Sequence, residues 1–408
     1  MITRKNSIAL AAALMVVWGN SLAQTSPVRP AYSFPSTPEG KGPASVRLGD
    51  SPVYATPFAA LSYGNDSNVT LRSSNEIDSA YQVYGGGVTL DARDARSVFL
   101  WGLQAMYGRY SDSTEDNYSD WNSRMSYDFA FDSRNFLRLD WNYIRGHDGR
   151  GTTDRFPPQS APDKYFDNSP GFIYSFGAPE AQGRFELFGN LAYKRYLNNR
   201  DVTAGSDRDT RNYGGAFYWR AMPKTSFLVE ARGTDIDYLL STSTLSGSES
   251  RYYAGVTWEA TAATSGTVKV GRLEKRYDSE RPTFSGTGWE GMVTWLPRTY
   301  SKFDLYSSRQ PIESTGQGDF ILSDATGIVW SHGWTSFIST DVNARFVKDR
   351  YQGFDRRDDT ESYGIRANYK LRRWITLGAE YQYTKRDSSQ DFNDYDKNLW
   401  LISAILSM

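Results

Sequence analysis

From Val53 to the C-terminus, apolar and polar residues alternate with period two, in stretch after stretch of about a dozen residues. In 374–387, Ile375, Leu377, Ala379, Tyr381 and Tyr383 alternate with Thr376, Gly378, Glu380, Gln382 and Thr384. In 117–131, Trp121, Met125, Tyr127 and Phe129 alternate with Asn122, Arg124, Ser126 and Asp128. The final residues place Trp400, Ile402, Ala404, Leu406 and Met408 on one side of the same ribbon. Period two is the signature of a strand with two unlike faces. The pattern predicts strands at 53–64, 79–92, 96–111, 117–131, 134–146, 165–177, 182–197, 209–221, 225–238, 249–260, 264–277, 286–296, 299–311, 320–332, 335–349, 361–372, 374–387 and 396–408. Each is long enough to cross a bilayer at a tilt. Strands of a soluble sandwich are shorter, and their apolar faces are less rich in Tyr and Trp. The fold expected is all-β: a transmembrane antiparallel up-and-down barrel of about 18 strands.

The gaps between these strands alternate in length. Short ones include Asp132 to Arg134, Met222 to Lys224, Pro297–Arg298 and the joint at 371–374. Long ones include 65–78, 147–164, 198–208, 239–248, 350–360 and 388–395. Outer-membrane barrels have short periplasmic turns and longer external loops, and an even strand count leaves both termini on the periplasmic side. Trp219, Trp258, Trp295 and Trp330 sit beside short turns, and Trp334 and Trp374 lie just past two of them. Indole favours the boundary between headgroup and hydrocarbon, so these residues are expected to form an aromatic girdle.

Ahead of the barrel, Arg4 and Lys5 precede an apolar run from Ile8 to Val17, followed by Ser21, Leu22 and Ala23. That order predicts a signal peptide, 1–23, cleaved after Ala23. The apolar run is too short for a membrane anchor. Residues 24–52 carry Pro27, Pro30, Pro35, Pro38 and Pro43. They read as a flexible periplasmic linker before a barrel at 53–408.

Composition agrees with a barrel. Aromatic residues make up 15%, with 28 Tyr and 35 Gly, yet mean hydropathy is −0.59. A wet lumen, polar loops and a lipid-facing band produce that average. The chain has no cysteine, which excludes disulfides and thiolate metal sites, and only two histidines. No cofactor or metal is implied. A net charge of −1 gives no general attraction to nucleic acid.

Alternation assigns to the lumen Arg124, Asp128, Arg138, Asp140, Arg184, Glu186, Glu230, Arg232, Asp341, Arg345, Arg366, Lys370 and Glu380. Both signs occur, often two residues apart, as in Arg138/Asp140 and Glu230/Arg232. Such residues either lace neighbouring strands with ion pairs or offer donors and acceptors to a hydroxyl-rich solute, and the two roles are compatible. One dominant sign would have pointed to an ion-selective pore. His147 and Asp148 open the longest external loop and superficially suit a hydrolytic site. Their glycine-rich setting and the lack of a second acidic pair argue against catalysis, so no catalytic residue is expected. His332 is expected in a solvated turn. Gly85 to Gly87 lie within a strand, where glycine marks a bulge or a close backbone approach. Loop 147–164, with Pro157, Pro158 and Pro162, either folds inward as a constriction or stands outward as a ligand surface.

Three segments carry a family resemblance: 276–286 (RYDSERPTFSG), Asp349 to Gly353 with Arg356 to Asp358, and 386–395 (RDSSQDFNDY). They resemble the β-barrel porins encoded in bacterial exopolysaccharide clusters, the EpsL-like outer-membrane proteins. The resemblance implies movement of a polysaccharide across the outer membrane, without chemistry. It implies as partners the polysaccharide, outer-membrane lipid, the barrel assembly machinery and a periplasmic or inner-membrane export component. Met408 departs from the aromatic residue usual at the end of such barrels. The alternatives are a diffusion porin for small hydrophilic solutes or oligosaccharides, and a surface-exposed binding or structural barrel.

Overall fold

The computed structural model describes residues 45–155, 159–178, 180–259 and 263–407. The expected signal peptide and residues 24–44 of the linker lie outside the described residues. Eighteen long strands form the wall: β1 (Val53–Asp66), β2 (Ser79–Arg93), β3 (Ser97–Tyr110), β4 (Tyr118–Ala130), β5 (Asn135–Asp148), β6 (Asp163–Phe176), β7 (Gly183–Tyr196), β8 (Arg208–Met222), β9 (Thr225–Tyr238), β10 (Gly247–Trp258), β11 (Thr264–Tyr277), β12 (Phe284–Arg298), β13 (Ser301–Ile312), β14 (Phe320–Gly333), β15 (Ile338–Gln352), β16 (Arg357–Arg372), β17 (Ile375–Ser388) and β18 (Tyr395–Ser407). Each pairs antiparallel with the next, and β18 returns to β1 in a ladder from Leu399 opposite Asp66 to Ser407 opposite Phe58. Closure leaves no sheet edge, as hydrocarbon requires, because every wall N–H and C=O must find its partner within the sheet.

The wall is inside-out. Ile402 is 60% exposed, while its neighbour Leu401 is 2% exposed. Trp400, Tyr381, Tyr363 and Ile365 are likewise exposed, whereas Ser403 and Thr384 are buried. A soluble sheet would bury the long apolar side chains. Here they face outward because the outer solvent is lipid, and the polar set turns to the lumen.

Joints of two residues, such as 223–224, 299–300 and 373–374, lie at the rim where β1 starts and β18 ends. Loops at the opposite rim reach fourteen residues, at 149–162. Three ladder irregularities, at Thr225/Ser226, Trp295/Arg298 and Lys370/Arg372, also fall at the short-turn rim. The middle one contains Pro297, which has no N–H to give a ladder. Two short turns are set by an aspartate that accepts backbone N–H groups. Asp94 takes those of Arg96 and Ser97, both at 2.7 Å, and Asp132 takes that of Arg134 at 2.7 Å. These donors hold both carboxyls below the usual carboxylate range. Aromatic rings gather at this rim: Trp295 stacks on Phe303, and Trp219 on Phe227. His332 belongs here and not to a solvated turn. It lies within β14, 4.3 Å from the Trp334 ring and 5.4 Å from that of Trp330.

Two further expectations are corrected, and one pair of alternatives is decided. The gap expected at 350–360 shrinks to 353–356. Arg357 and Asp359 continue the exposed alternation while Asp358 and Thr360 are buried, so this charged stretch is strand despite its loop-like composition. Residues 45–52 are not free chain, since Val46–Arg47 fold back antiparallel onto Ala55 and Tyr54. The glycines at 85–87 mark close approach and not a bulge. Both flanking ladders keep register, and a Cβ on Gly85 would meet the Ala105 carbonyl oxygen at 2.1 Å.

The rims predict a topology. With no native cysteine to interfere, Ser241→Cys in loop 239–246 is expected to react with an impermeant thiol reagent on whole cells. Lys224→Cys in a two-residue turn is expected to stay silent until the membrane is opened; the reverse pattern would invert the barrel.

Candidate pore constriction

The inner-face residues of 124–380 divide into laced and unlaced groups. Asp128 and Arg138 form a two-pronged pair across β4 and β5, at 2.6 and 2.7 Å. The pairing runs across strands, not along β5 to Asp140, which lies opposite Ser126. Arg184 lies 3.4 Å from Glu186 and 4.4 Å from the centroid of the Tyr218 ring. Glu230 and Arg232 do pair along one strand, and they join a network that the sequence did not show. Lys269 of β11 reaches Glu230 at 3.0 Å and Glu290 of β12 at 2.9 Å, and Arg232 also reaches Glu290 at 2.9 Å. Arg366 faces Asp341 across the ladder and lies 3.7 Å from Glu380. Arg124, Arg345 and Lys370 have no carboxylate within 4.0 Å among the described residues.

One sector of the inner wall is apolar. Ala60, Tyr81, Val83, Leu399 and Leu401 form a buried cluster on β18, β1 and β2, with Phe58, Met106, Tyr110 and Ile405 against it. In a ring of eighteen strands it stands across the lumen from the charged network on β9, β11 and β12. The run Leu399–Ile402 is apolar on both faces, so the inward residues there carry no polar mark although Trp400 and Ile402 point outward as the alternation placed them.

The long-loop end of the pore is obstructed. The loop after β5 turns inward at Gly151, where φ is +77° and a Cβ would lie 2.3 Å from the carbonyl oxygen of Thr70. Only glycine fits a left-handed position so close to another backbone. Arg150 ties the start of the loop down through Asp116 at 3.0 Å and Ser113 at 2.6 Å.

Asp154 then reaches the opposite wall. Its backbone N–H donates to Thr315 Oγ1 at 2.9 Å, and its carboxylate accepts the Tyr351 hydroxyl and lies 3.6 Å from Arg356. Tyr351 is on β15, ten strands from β5 in a ring of eighteen, so the contact crosses the lumen. Arg356 is held in turn by Asp358, at 2.9 and 2.6 Å. Arg155 pairs with Asp163, donates to Ser206 at 3.1 Å and covers the Tyr196 ring. Ser206 donates onward to the carbonyl of Thr315 at 3.3 Å.

Burial works against the Arg155 charge, but Tyr196, Asp163 and Asp148 more than restore it, holding the guanidinium above its ordinary pKa. Burial likewise opposes the Arg356 charge, and Asp358, Tyr351 and Asp154 outweigh it. Both are fixed cations. The latch residues Arg155, Arg356 and Asp154 also line an open hollow with Arg72, Arg150, Arg386, Asp148 and Asp163.

Loop 147–164 therefore folds inward over its described part. Pro157 and Pro158 lie outside the described residues. Pro162 accepts a hydrogen bond from Asn198 at 2.9 Å. His147 and Asp148 serve different partners: His147 lies 3.0 Å from Asp120 and stacks on Tyr118, whereas Asp148 accepts the Tyr196 hydroxyl at 2.8 Å. They make no catalytic unit with each other.

Residues 43–406 match the family described as "Putative beta-barrel porin 2". The chain belongs to that porin family. No curated protein matches it. Among solved structures, it resembles OccK2 (OpdF) of Pseudomonas aeruginosa at 9% identity and TM-score 0.49, covering 90% of this chain and 100% of that one. A BenF-like porin of Pseudomonas fluorescens Pf-5 gives 9% identity and TM-score 0.48, covering 87% and 99%. The FrpB iron transporter of Neisseria meningitidis gives 10% identity and TM-score 0.45, covering 81% of this chain. The present chain spans 62% of that transporter's length. Membership in the porin family, with a closed barrel that turns its apolar side chains outward, points to the bacterial outer membrane. The family match does not reach the exopolysaccharide-cluster porins in particular.

Proposed function

We propose that this porin passes small hydrophilic solutes by diffusion, with residues 149–155 setting the size limit. The observation that carries this reading is the loop latched across the lumen by Asp154 and Arg155, bonded on the far side to Thr315 and Tyr351 and on the near side to Asp163 and Ser206. A small solute can pass beside such a bar. A coiled or branched polymer is wider than such a gap, and a linear one would have to be drawn through it end-on.

The inner-face residues Arg124, Asp128, Arg138, Asp140, Arg184, Glu186, Glu230, Arg232, Asp341, Arg345, Arg366, Lys370 and Glu380 would form the solute path. Their mixed signs favour neutral, hydroxyl-bearing solutes over either ion class.

Export of an extracellular polysaccharide is the second reading. It is favoured by the apolar sector at Val83, Leu399 and Leu401 facing a charged wall, since a sugar has apolar ring faces and polar edges. On this reading the latch would have to open, and a periplasmic or inner-membrane export component would deliver the polymer.

Swelling of liposomes that contain the purified porin separates the two. Monosaccharides are expected to enter quickly and long oligosaccharides hardly at all. Entry that does not fall with length would reject the size limit. Loss of surface polysaccharide in a deletion strain that still makes the repeat unit would favour export.

A further inference from the structure

Above the apolar belt, the outer wall of β13–β16 brings cations together. On β15 Phe346, Lys348 and Arg350 are exposed, while Val347, Asp349 and Tyr351 are buried. On β16 Arg357 and Asp359 are exposed, while Asp358 and Thr360 are buried. The exposed set therefore faces outward. Arg350 stands directly opposite Arg357 in the ladder, and like charges so placed repel. The acids nearby leave Arg357 with no carboxylate within 4.0 Å among the described residues. Lys348 has Asp359 opposite, and Asp324 of β14 is shared by Arg309 of β13 and, at 3.3 Å, by Arg350. Glu361, on the same outward face of β16, accepts the Tyr363 hydroxyl at 3.0 Å, and Asp355 is exposed in the turn between the two strands, so the patch is mixed in sign and the arginine pair is its repulsive point. The next charges round the wall, Lys385 and Asp387, satisfy each other at 2.9 Å. Arg309 also stacks on Trp289 at 4.2 Å, which keeps its guanidinium plane against the wall.

The level of this patch indicates its ligand. Arg350 lies four residues beyond Phe346, about 10 Å higher for a strand rising ~3.3 Å per residue at a tilt near 40°. It thus clears the apolar band and stands among outer-leaflet headgroups.

We propose that Arg350 and Arg357 together clasp a phosphate of an outer-leaflet glycolipid. A phosphate between them converts the repulsive pair into two charge-assisted, fork-like contacts, the geometry guanidinium groups favour.

The test uses the full-length porin in detergent, stripped of lipid, with binding read by native mass spectrometry and by the shift in heat denaturation. The probes are phosphorylated lipid A, its dephosphorylated form and inorganic phosphate. Phosphorylated lipid is expected to bind and to raise the denaturation temperature. The Arg350→Gln/Arg357→Gln variant should bind it about tenfold or more weakly. The control is Arg272→Gln/Arg276→Gln, a pair 68% exposed on the outward face of β11 around Glu274, and it should bind like the native chain. If the double variant does not fold, Arg357→Gln alone is measured, since its side chain has no hydrogen bond within the wall to lose. Equal binding by the variant, equal binding of dephosphorylated lipid, or an equal shift with inorganic phosphate would each overturn the proposal.

Discussion

Replacing Asp154 and Arg155 together with alanine is expected to raise single-channel conductance severalfold. The Asp154 carboxylate holds the bar to Tyr351 and Arg356 on the far wall, and Arg155 holds it to Asp163 and Ser206 on the near side. Of the ties at these two residues, only the backbone N–H bond of residue 154 to Thr315 would survive. Each lost charge-assisted bond is worth about 1.5–3 kcal/mol locally. That is enough to free the loop, while the barrel survives because its ladders do not involve these residues. Arg356 keeps Asp358 and is not stranded without a partner. Planar-bilayer recording reads the change. Conductance equal to that of the native chain would mean that residues 149–155 do not limit flow.

The second large effect concerns assembly. Ile402→Arg is expected to prevent stable insertion. Ile402 is among the most exposed wall residues, lies near the middle of β18, and pairs across the closing seam with Tyr63. A charge at that depth on the lipid face costs about 2–4 kcal/mol. Gln382→Arg, on the opposite face of neighbouring β17, should be tolerated because it faces the lumen beside Leu399 and not the hydrocarbon. Leu377 is a weaker probe. It is the third residue of β17, near the short-turn rim, where the same charge costs about 0–1 kcal/mol. Resistance of the barrel to heating in SDS reports both variants, and similar behaviour of Ile402→Arg and Gln382→Arg would mean that the faces are exchanged.

Most of the wall was legible because period two is a local property. Trp400 and Ile402 reveal the lipid face of β18 without knowledge of any partner strand, and the aspartates at 94 and 132 sit in short turns that a strand count can place. Reading failed where composition and periodicity diverge. Arg357 to Asp359 look like loop because all three are charged, yet they begin β16 and Asp358 is buried in the wall. Leu399 and Leu401 point inward by the same alternation, but nothing local to them says that they join Tyr81 and Val83 in an apolar sector of the lumen.

The lumen was legible as a list and not as a network. Glu230 and Arg232 announce themselves two residues apart, but Lys269 and Glu290 join them only through the register of β9 to β12. The latch was least visible. Asp154 meets Tyr351 across 197 residues of chain, and nothing local to either residue encodes that meeting. Gly149 and Gly151 were the available signal, and they say that the chain turns without saying which way.

The most direct test of a fixed, loop-narrowed channel is conductance with the loop locked in place. Asp154→Cys with Thr315→Cys replaces adjacent side chains, whose polar atoms lie 3.3 Å apart, by a disulfide in a chain with no other thiol. If the bar is a static constriction, oxidising the pair should leave single-channel conductance and monosaccharide entry at the level of the native chain. If oxidation abolishes flow and reduction restores it, the loop must swing aside for transport, and the fixed-constriction account is wrong.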